Sequence, residues 1–349
     1  MNARIGVLFA SIALLWGCGG GYGPPAPVSP SLPASGNSMS SLFADSSLPR
    51  QNAYWTLFSG CGFPQVQIAA VPLKATSKNS NYYCSPNNGL GYSSGTTVDS
   101  SGRLWVLFFG TGHGSPGSVA VFQLPLKAKS VQQYTFVLSG TSDPDHLRFD
   151  ASGNLWVNSY KNQSVFEYTG PFTKSGTLTP AITVSASCCQ PSGIALDSAA
   201  NLYVSNLNST GTNSIAVFRP PYTGSPYFLN GLSAPGALAF DKNGNLYASS
   251  NGSPPAVVRY NSNDLQNGDT PSIVDSTGLP PNSYEADFAF TAKGDLYAAN
   301  CGGTTSSGPD AIDVWPTSRK KFSSSLAPSV LYTNADIQQA GCAWGISIR

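Results

Sequence analysis

The clearest pattern in the chain is a short motif of apolar and polar positions that recurs five times. Each copy has an apolar residue, Asp or Thr, two variable residues, Gly or Ala, a polar residue, Leu and an aromatic residue. The copies begin 44 to 51 residues apart, a period typical of repeat architectures such as propellers. They are Val98–Phe108, Phe149–Ser159, Leu196–Asn206, Phe240–Ser250 and Phe290–Asn300.

Each copy predicts a β-hairpin. In the fourth copy, Leu238–Phe240 predicts a first strand and Leu246–Ala248 a second. Between them, Asp241 is expected to accept hydrogen bonds from the backbone that follows it, and Gly244 supplies a positive φ. Two further β-rich segments follow each hairpin. Each repeat therefore predicts four antiparallel strands, the composition of one propeller blade.

The two ends of the repeat region complete a sixth blade. The C-terminal segment Gly345–Ile348 matches Gly193–Leu196, the first strand of a repeat, but the chain ends one residue later. Three β-rich segments without a first strand lie near Tyr54–Phe58, Gln65–Leu73 and Ser80–Cys84. The sequence therefore predicts an all-β fold, a six-bladed β-propeller of four-stranded antiparallel blades, closed by one C-terminal and three N-terminal strands. Such closure removes exposed sheet edges.

The phrases QPSGIALDSAANLYVSN (Gln190–Asn206) and FDKNGNLYASS (Phe240–Ser250) resemble NHL-repeat propellers. They are also similar to the regucalcin/gluconolactonase group and to streptogramin lyase. The resemblance covers about residues 53–349 and implies a propeller fold. Because these motifs lie in structural hairpins, they specify the fold more strongly than any activity.

The N-terminus has the pattern of an export signal. Arg4 precedes the apolar segment Ile5–Trp16, which is too short to span a membrane. Leu15–Cys18 resembles a bacterial lipobox, which implies a signal peptide over 1–17, acylation of Cys18, and attachment to the cell envelope, with the outer membrane or cell surface favoured. Residues 18–52 are rich in Gly, Pro and Ser and predict a flexible tether, and residues 53–349 predict a single propeller domain.

Composition and charge narrow the class of partner. Lys and Arg number 18 and Asp and Glu number 17, so the formal net charge is +1. The sequence shows no basic excess or stripe, which argues against a nucleic-acid partner. Aromatic residues at 11% favour a packed fold, and we expect a monomer.

Apart from Cys18, six cysteines remain in an exported chain, and such chains commonly form disulfides. The repeat register places Cys61 near Cys84, and Cys301 near Cys342, on one face of the ring. We expect both pairs to form disulfides. The adjacent Cys188 and Cys189 either form a vicinal disulfide or remain thiols. A zinc site is the alternative, although the chain has two histidines and no CxxC spacing.

The resemblance to regucalcin-like lactonases implies a divalent metal at the mouth of the ring. That family holds its metal with a Glu, Asn residues and an Asp in a Pro-Asp-Gly phrase, and Pro144–His146 matches the phrase with His in place of Gly. Asp145, Asp287 and Asn206 are the candidate ligands for Ca²⁺ or Mg²⁺. The alternative is that the two aspartates cap loops or remain solvated.

Streptogramin lyases use His and Glu at the mouth, which makes His146, His113 and Glu285 candidate catalytic residues. Two functions therefore remain open. The first is a lipid-anchored binding module at the cell envelope, for an envelope protein, a glycan or a small molecule. The alternative is a metal-dependent hydrolase, lactonase or lyase acting at the central mouth.

Overall fold

The computed structural model describes residues 51–57, 66–74, 76–78, 80–83, 90–110, 114–126, 130–186, 190–207, 213–281, 283–302, 311–318, 320–333 and 342–349. The chain divides into two units, 1–48 and 49–349, and all described residues belong to the second. The predicted signal peptide and Cys18 therefore lie outside the described residues, as does most of the predicted tether.

The described residues form 25 β-strands. No helix within them has the length and apolar character needed to cross a membrane. The strands are β1 Asn52–Leu57, β2 Val66–Ala70, β3 Ser80–Tyr83, β4 Ser93–Val98, β5 Arg103–Phe108, β6 Ser118–Gln123, β7 Tyr134–Leu138, β8 Leu147–Phe149, β9 Leu155–Ser159, β10 Ser164–Tyr168, β11 Gly176–Leu178, β12 Ile182–Ser185, β13 Gln190–Leu196, β14 Leu202–Leu207, β15 Ser214–Phe218, β16 Tyr227–Leu229, β17 Pro235–Phe240, β18 Leu246–Ser250, β19 Ala256–Tyr260, β20 Ile273–Asp275, β21 Glu285–Phe290, β22 Leu296–Asn300, β23 Ala311–Trp315, β24 Val330–Tyr332 and β25 Ala343–Ile348.

These strands form six sheets, which confirms the six-bladed propeller. Numbered along the chain, blade 1 contains β4–β7, blade 2 contains β8–β10 and β12, and blades 3, 4 and 5 contain β13–β16, β17–β20 and β21–β24. Blade 6 has the order β25-β1-β2-β3, so one C-terminal strand and three N-terminal strands close the ring as predicted. Ile346 pairs with Trp55, and Ile348 with Ala53.

The repeated hairpin turn is built around its aspartate. Asp150 Oδ1 accepts hydrogen bonds from the backbone N–H groups of Ser152 and Asn154, both at 2.9 Å, and Oδ2 accepts one from Trp156 Nε1 at 3.1 Å. Gly153 then takes a φ of 83°. In the third copy Ala200 occupies this position at a φ of 60°, although a left-handed φ is costly for a residue with a Cβ.

The core lies between the blades, with one apolar cluster at each of the six junctions. The motif explains the packing, because the aromatic residue of one copy contacts the first apolar residue of the next. Ring centroids of Trp105 and Phe149 lie 5.0 Å apart, and those of Tyr203 and Phe240 lie 4.9 Å apart. The motif therefore encodes the junction between blades as well as the hairpin.

A polar side chain also bridges every junction near the N-terminal end of the inner strands, and we call these bridges the clasps. Ser205 Oγ donates to Gly236 O at 2.6 Å, and Ser249 Oγ donates to Glu285 O at 2.9 Å. The other four run from Thr56 Oγ1 to Ser94 O, from Ser94 Oγ to Pro144 O, from Asn158 Nδ2 to Pro191 O, and from Ile346 N to Asp287 Oδ2.

One strand departs from the repeat. The connection between β10 and β12 of blade 2 contains β11, which pairs in parallel with β7 of blade 1, with Gly176 opposite Phe136. Blade 1 therefore has five strands, and blade 2 supplies the fifth.

Candidate functional site

The two faces of the ring differ in which connections they carry. The hairpins between first and second strands, and the connections between third and fourth strands, lie on one side, which we call the hairpin face. The connections between second and third strands, and those leading into each inner strand, lie on the other side, the mouth.

Side chains of blade 2 cross the central axis and reach blade 5 on the opposite side of the ring. The Arg148 guanidinium forms an ion pair with Asp287 Oδ1, and His146 Nε2 donates to Ala286 O at 2.7 Å. In three other blades, the position equivalent to His146 is occupied by a glycine: Gly95, Gly193 and Gly345. Glycine is needed at this position because a Cβ on Gly345 would lie 2.6 Å from Ser94 O.

This arrangement occupies Asp287, a candidate metal ligand. Its Oδ1 also accepts from Phe288 N at 2.8 Å, and its Oδ2 accepts from Ile346 N at 3.1 Å. His146 is 1% exposed, and burial lowers the pKa of its imidazole despite the nearby Asp287. The imidazole is therefore neutral at pH 7 and acts as a hydrogen-bond donor across the axis.

A second group of polar and aromatic residues lies at the mouth, and we call it the mouth cup: Asp145, Tyr160, Ser192, Tyr284 and Trp344. The rings of Tyr284 and Trp344 stack with centroids 6.0 Å apart, and Tyr284 Oη lies 3.3 Å from Ser192 Oγ. Tyr284 belongs to blade 5 and Ser192 to blade 3, so this contact spans blade 4. The aromatic pair is half-buried and keeps part of its surface open to solvent.

Asp145 is the acid of the mouth cup. Burial raises the pKa of its carboxyl well above the usual range, and nearby Asp143 raises it further. Burial also raises the pKa of Tyr284 to about 12, and Asp145 contributes to that shift. The Asp145 carboxyl therefore stays protonated to a higher pH than that of an exposed Asp, and in this form it donates as well as accepts hydrogen bonds.

The described part of the mouth carries little positive charge. In the described residues of the connections on this side, the one Lys or Arg is Lys161, whose ammonium group lies 3.9 Å from Asp143 Oδ2. The same residues include Asp143 and Asp145. The mouth is therefore neutral to acidic.

Glu285 belongs to a buried acid pair within blade 5. It is 0% exposed, as are Asp313 and Asn300, and Asn300 Nδ2 donates to Asp313 Oδ2 at 2.9 Å. Burial raises the pKa of Glu285, and its contact with Asp313 raises it further. Burial also raises the pKa of Asp313, to about 6. The two carboxyls therefore share a proton near neutral pH.

The predicted metal set of Asp145, Asp287 and Asn206 stays a prediction. Among the described residues, no group of three or more His, Cys, Asp or Glu side chains lies close enough together to hold a metal ion. Asn206 is 0% exposed, and neither atom of its amide group has a hydrogen-bond partner among the described residues. The equivalent residues of blades 2 and 4, Ser159 and Ser250, form hydrogen bonds with the segment that leads into their own blade. In blade 3 that segment, 187–189, lies outside the described residues.

One predicted disulfide is present. Cys301, just after β22 of blade 5, is bonded to Cys342, just before β25 of blade 6, with Cα atoms 4.3 Å apart. The other cysteine positions, Cys18, Cys61, Cys84, Cys188 and Cys189, lie outside the described residues, and so does His113. Those predictions stay predictions.

Sequence reasoning placed Trp344 at the mouth but missed the two tyrosines of the mouth cup and the cation that crosses the axis. Tyr284 and Tyr160 each lie one or two residues from a position that the repeat register marked as facing the mouth. Arg148 lies on β8, two residues after His146, so alternation along the chain could have assigned it to the axis.

Comparison with known proteins shows the fold alone. No protein-family model matches this sequence, and no curated protein matches it either. Among solved structures, the periplasmic gluconolactonase of Pseudomonas aeruginosa is similar over 82% of this chain and 83% of its own, with a TM-score of 0.53 and 14% identity. A gluconolactonase of Xanthomonas campestris is similar over 74% and 80%, with a TM-score of 0.51 and 12% identity. The predicted resemblance to gluconolactonase-like propellers is confirmed as a resemblance of fold.

Proposed function

We propose that this chain is an exported, lipid-anchored β-propeller that binds a small, uncharged, polyhydroxylated ligand in the mouth cup. The observation that carries the proposal is the protonatable Asp145 carboxyl beside the Tyr284–Trp344 stack, in a mouth whose one cation among the described residues, Lys161, is paired with Asp143. Ligand sites commonly combine aromatic walls with a few convergent polar groups.

The charge of the cup selects the ligand class. Phosphate and carboxylate ligands are usually held by Arg or Lys through charge-assisted hydrogen bonds. Lys161 is already paired with Asp143, and Asp145 would repel an anion whenever it is ionised. A neutral ligand avoids this repulsion, and its hydroxyl groups match the donors and acceptors of Asp145 and Ser192. Tyr160 offers an acceptor only, because its hydroxyl donates to Gln190 Oε1 at 2.7 Å.

The aromatic pair supplies the apolar contact. The half-buried Trp344 and Tyr284 offer ring faces to the less polar side of a sugar-like ring. The lipobox-like segment ending at Cys18 supports export and acylation, which would place the cup at the cell envelope.

A second candidate function is hydrolysis of a neutral lactone, and the raised pKa of Asp145 favours it. The ionised carboxylate would remove a proton from water, and the water oxygen would attack the lactone carbonyl carbon. The ring C–O bond would then break, and the proton would return to the leaving oxygen. Tyr284 stays neutral, with a pKa of about 12, and would donate a hydrogen bond.

Calorimetric titration with glucono-1,5-lactone and with gluconate tests both candidates. We expect the neutral lactone to bind and the anion not to bind. Asp145→Asn should weaken lactone binding about tenfold, and Tyr284→Phe about fivefold, the loss expected for one hydrogen bond. Tyr222→Phe removes a hydroxyl that donates to Ala200 O at 2.8 Å on the hairpin face, and serves as the matched control.

The outcomes separate the two candidates. Binding without ring opening supports the binding module. Ring opening above the spontaneous rate, lost in Asp145→Asn, supports the hydrolase. Equal binding of lactone and gluconate, or no effect of either cup variant, would contradict both. For the anchor, Cys18→Ser should move the protein from the membrane fraction to the soluble fraction, and continued sedimentation with membranes would overturn it.

A further inference from the structure

The exposed positive charges of the propeller collect on the hairpin face. Ten Lys and Arg residues are exposed in the part of the chain that the structure describes, and nine of them lie in connections on this face. The tenth is Lys161 at the mouth. The nine are Lys74, Lys78, Lys174, Arg219, Lys242, Lys293, Lys320, Lys321 and Arg349.

The described connections of the hairpin face also carry seven Asp residues, which offset only part of this charge: Asp99, Asp150, Asp197, Asp241, Asp264, Asp269 and Asp295. No Asp or Glu in the described ranges is exposed. Asp150, Asp197 and Asp241 are half-buried, and their carboxylates accept hydrogen bonds from the backbone of their own turns. The formal net charge of +1 therefore conceals two different faces, one cationic and the other neutral to acidic.

None of these nine cations takes part in an ion pair among the described residues. The ion pairs found there join Arg103 to Asp99, Arg148 to Asp287 and Lys161 to Asp143, with His146 4.0 Å from Asp287. The cations of the hairpin face thus remain available to an external anionic surface.

The chain upstream of the propeller enters at this same face. β1 begins there, where Asn52 N donates to Arg349 O at 2.6 Å. One residue earlier, Gln51 Oε1 accepts from Ala292 N at 3.1 Å, in the hairpin of blade 5. A segment that carries the proposed acylation site, Cys18, is therefore connected to the cationic side of the ring.

We infer that the hairpin face docks on an anionic lipid surface, so that the mouth cup faces away from the membrane. The choice of a membrane over another polyanion rests on the proposed lipid anchor. Each Lys or Arg near an anionic bilayer strengthens binding about fivefold, the equivalent of about 1 kcal/mol, and salt screens the attraction.

Vesicle cosedimentation tests this inference on the full chain carrying Cys18→Ser, so that no acyl group contributes. Two kinds of vesicle are compared at low and high salt: pure phosphatidylcholine, and phosphatidylcholine with about 30% phosphatidylglycerol. The phosphatidylglycerol supplies the negative surface charge. The pure phosphatidylcholine arm measures any binding by the apolar segment Ile5–Trp16. We expect the anionic lipid to strengthen binding, and salt to remove that gain.

Two variants of equal net charge locate the effect. Lys242→Gln, Lys293→Gln and Lys320→Gln together remove three charges from the hairpin face. A second triple variant lowers the formal charge of the mouth side by the same three charges: Lys161→Gln, Asn230→Asp and Ser276→Asp. All six side chains are exposed, so both triple variants should fold, and equal melting temperatures check this.

The hairpin-face triple variant should lose at least tenfold in affinity for anionic vesicles, while the mouth-side variant should lose less than threefold. Equal losses would show an effect of net charge alone and overturn the inference. Binding unaffected by either variant, or tighter binding to duplex DNA than to anionic vesicles, would also overturn it. These results do not depend on ligand binding in the cup, which the lactone titration tests separately.

Discussion

Deleting the last six residues, Trp344–Arg349, should open the ring. The deletion removes most of β25, the inner strand of blade 6, while leaving the Cys301–Cys342 disulfide in place. Only one chain segment closes the sixth blade, and no other strand of the described ring is free to replace it. The deletion is therefore short, but it removes many of the contacts that close the ring.

The structure gives the size of the effect. At least four hydrogen bonds are lost: two between Arg349 and Asn52, one from Gly345 N to Thr56 Oγ1 at 2.9 Å, and one from Ile346 N to Asp287 Oδ2 at 3.1 Å. At about 1 kcal/mol each they contribute about 4 kcal/mol. Burial of the Ile346 side chain, 1% exposed, adds about 2 kcal/mol. The total of about 6 kcal/mol is a large share of the roughly 5–15 kcal/mol that stabilises a typical domain.

Thermal unfolding is the assay. We expect the melting temperature to fall by at least about 10 °C, or the folded state to be lost. Deleting Gly19–Ser47, which lies outside the described residues, should change it by less than about 2 °C, since that segment predicts a flexible tether. Ile346→Ala should cost about 2–4 kcal/mol, and Ile348→Ala less because Ile348 is half-buried. If the six-residue deletion is as harmless as the tether deletion, the closure by β25 is not what stabilises the ring.

Two further predictions concern buried groups. Because the folded pKa values of Glu285 and Asp313 lie above their ordinary values of 4.5 and 3.8, folding favours their protonated forms, and their contribution to stability is lost as pH rises through the folded values. Urea unfolding from about pH 4 to about pH 7 should therefore show a decline that Glu285→Gln reduces, and an unchanged slope would refute the shared proton. The Cys301–Cys342 disulfide closes a long loop, with a sequence separation of 41, so Cys301→Ser with Cys342→Ser should destabilise the propeller by about 4 kcal/mol. The melting temperature of this variant is measured with and without reductant. If it is the same in both and equals that of the oxidised wild type, the disulfide does not contribute to stability.

The sequence predicts the blades well because hairpin physics is local. The Asp turn, the positive φ after it and the apolar alternation all act within about ten residues, so the copies align and the missing first strand of blade 6 can be recognised. The predicted third strand of blade 6, Gln65–Leu73, is too long. The observed strand ends at Ala70, two residues before Pro72, which has no N–H group to donate.

Contacts across the ring are harder to predict. The repeat register made Asp145 and Asp287 similar candidates for a mouth ligand. The structure gives them different surroundings, because Arg148 reaches Asp287 from the opposite blade, whereas Asp145 stays among hydroxyl groups. Pairing between blades 2 and 5 has no counterpart in a repeat pattern, which records only neighbours along the chain.

The additional strand β11 was also not predicted. Its three residues, Gly176–Leu178, are half-buried or exposed and lack a strong apolar alternation. Their pairing partner belongs to another blade, so the strand is decided by tertiary structure rather than by its own sequence.

The clasps have a consequence for how such a ring can change during evolution. At four of the six junctions, a side chain on the second strand of one blade bonds a backbone carbonyl on the inner strand of the next, and at a fifth the donor is Ser94 of the inner strand. Every blade has backbone carbonyls, so the recipient needs no particular side chain. A duplicated blade that carries its own donor can join either neighbour without a compensating substitution. The junction from blade 5 to blade 6 is the exception, because there the side chain of Asp287 accepts from a backbone N–H. Gain or loss of a blade is therefore easier among blades 1 to 4 than at the pair that closes the circle.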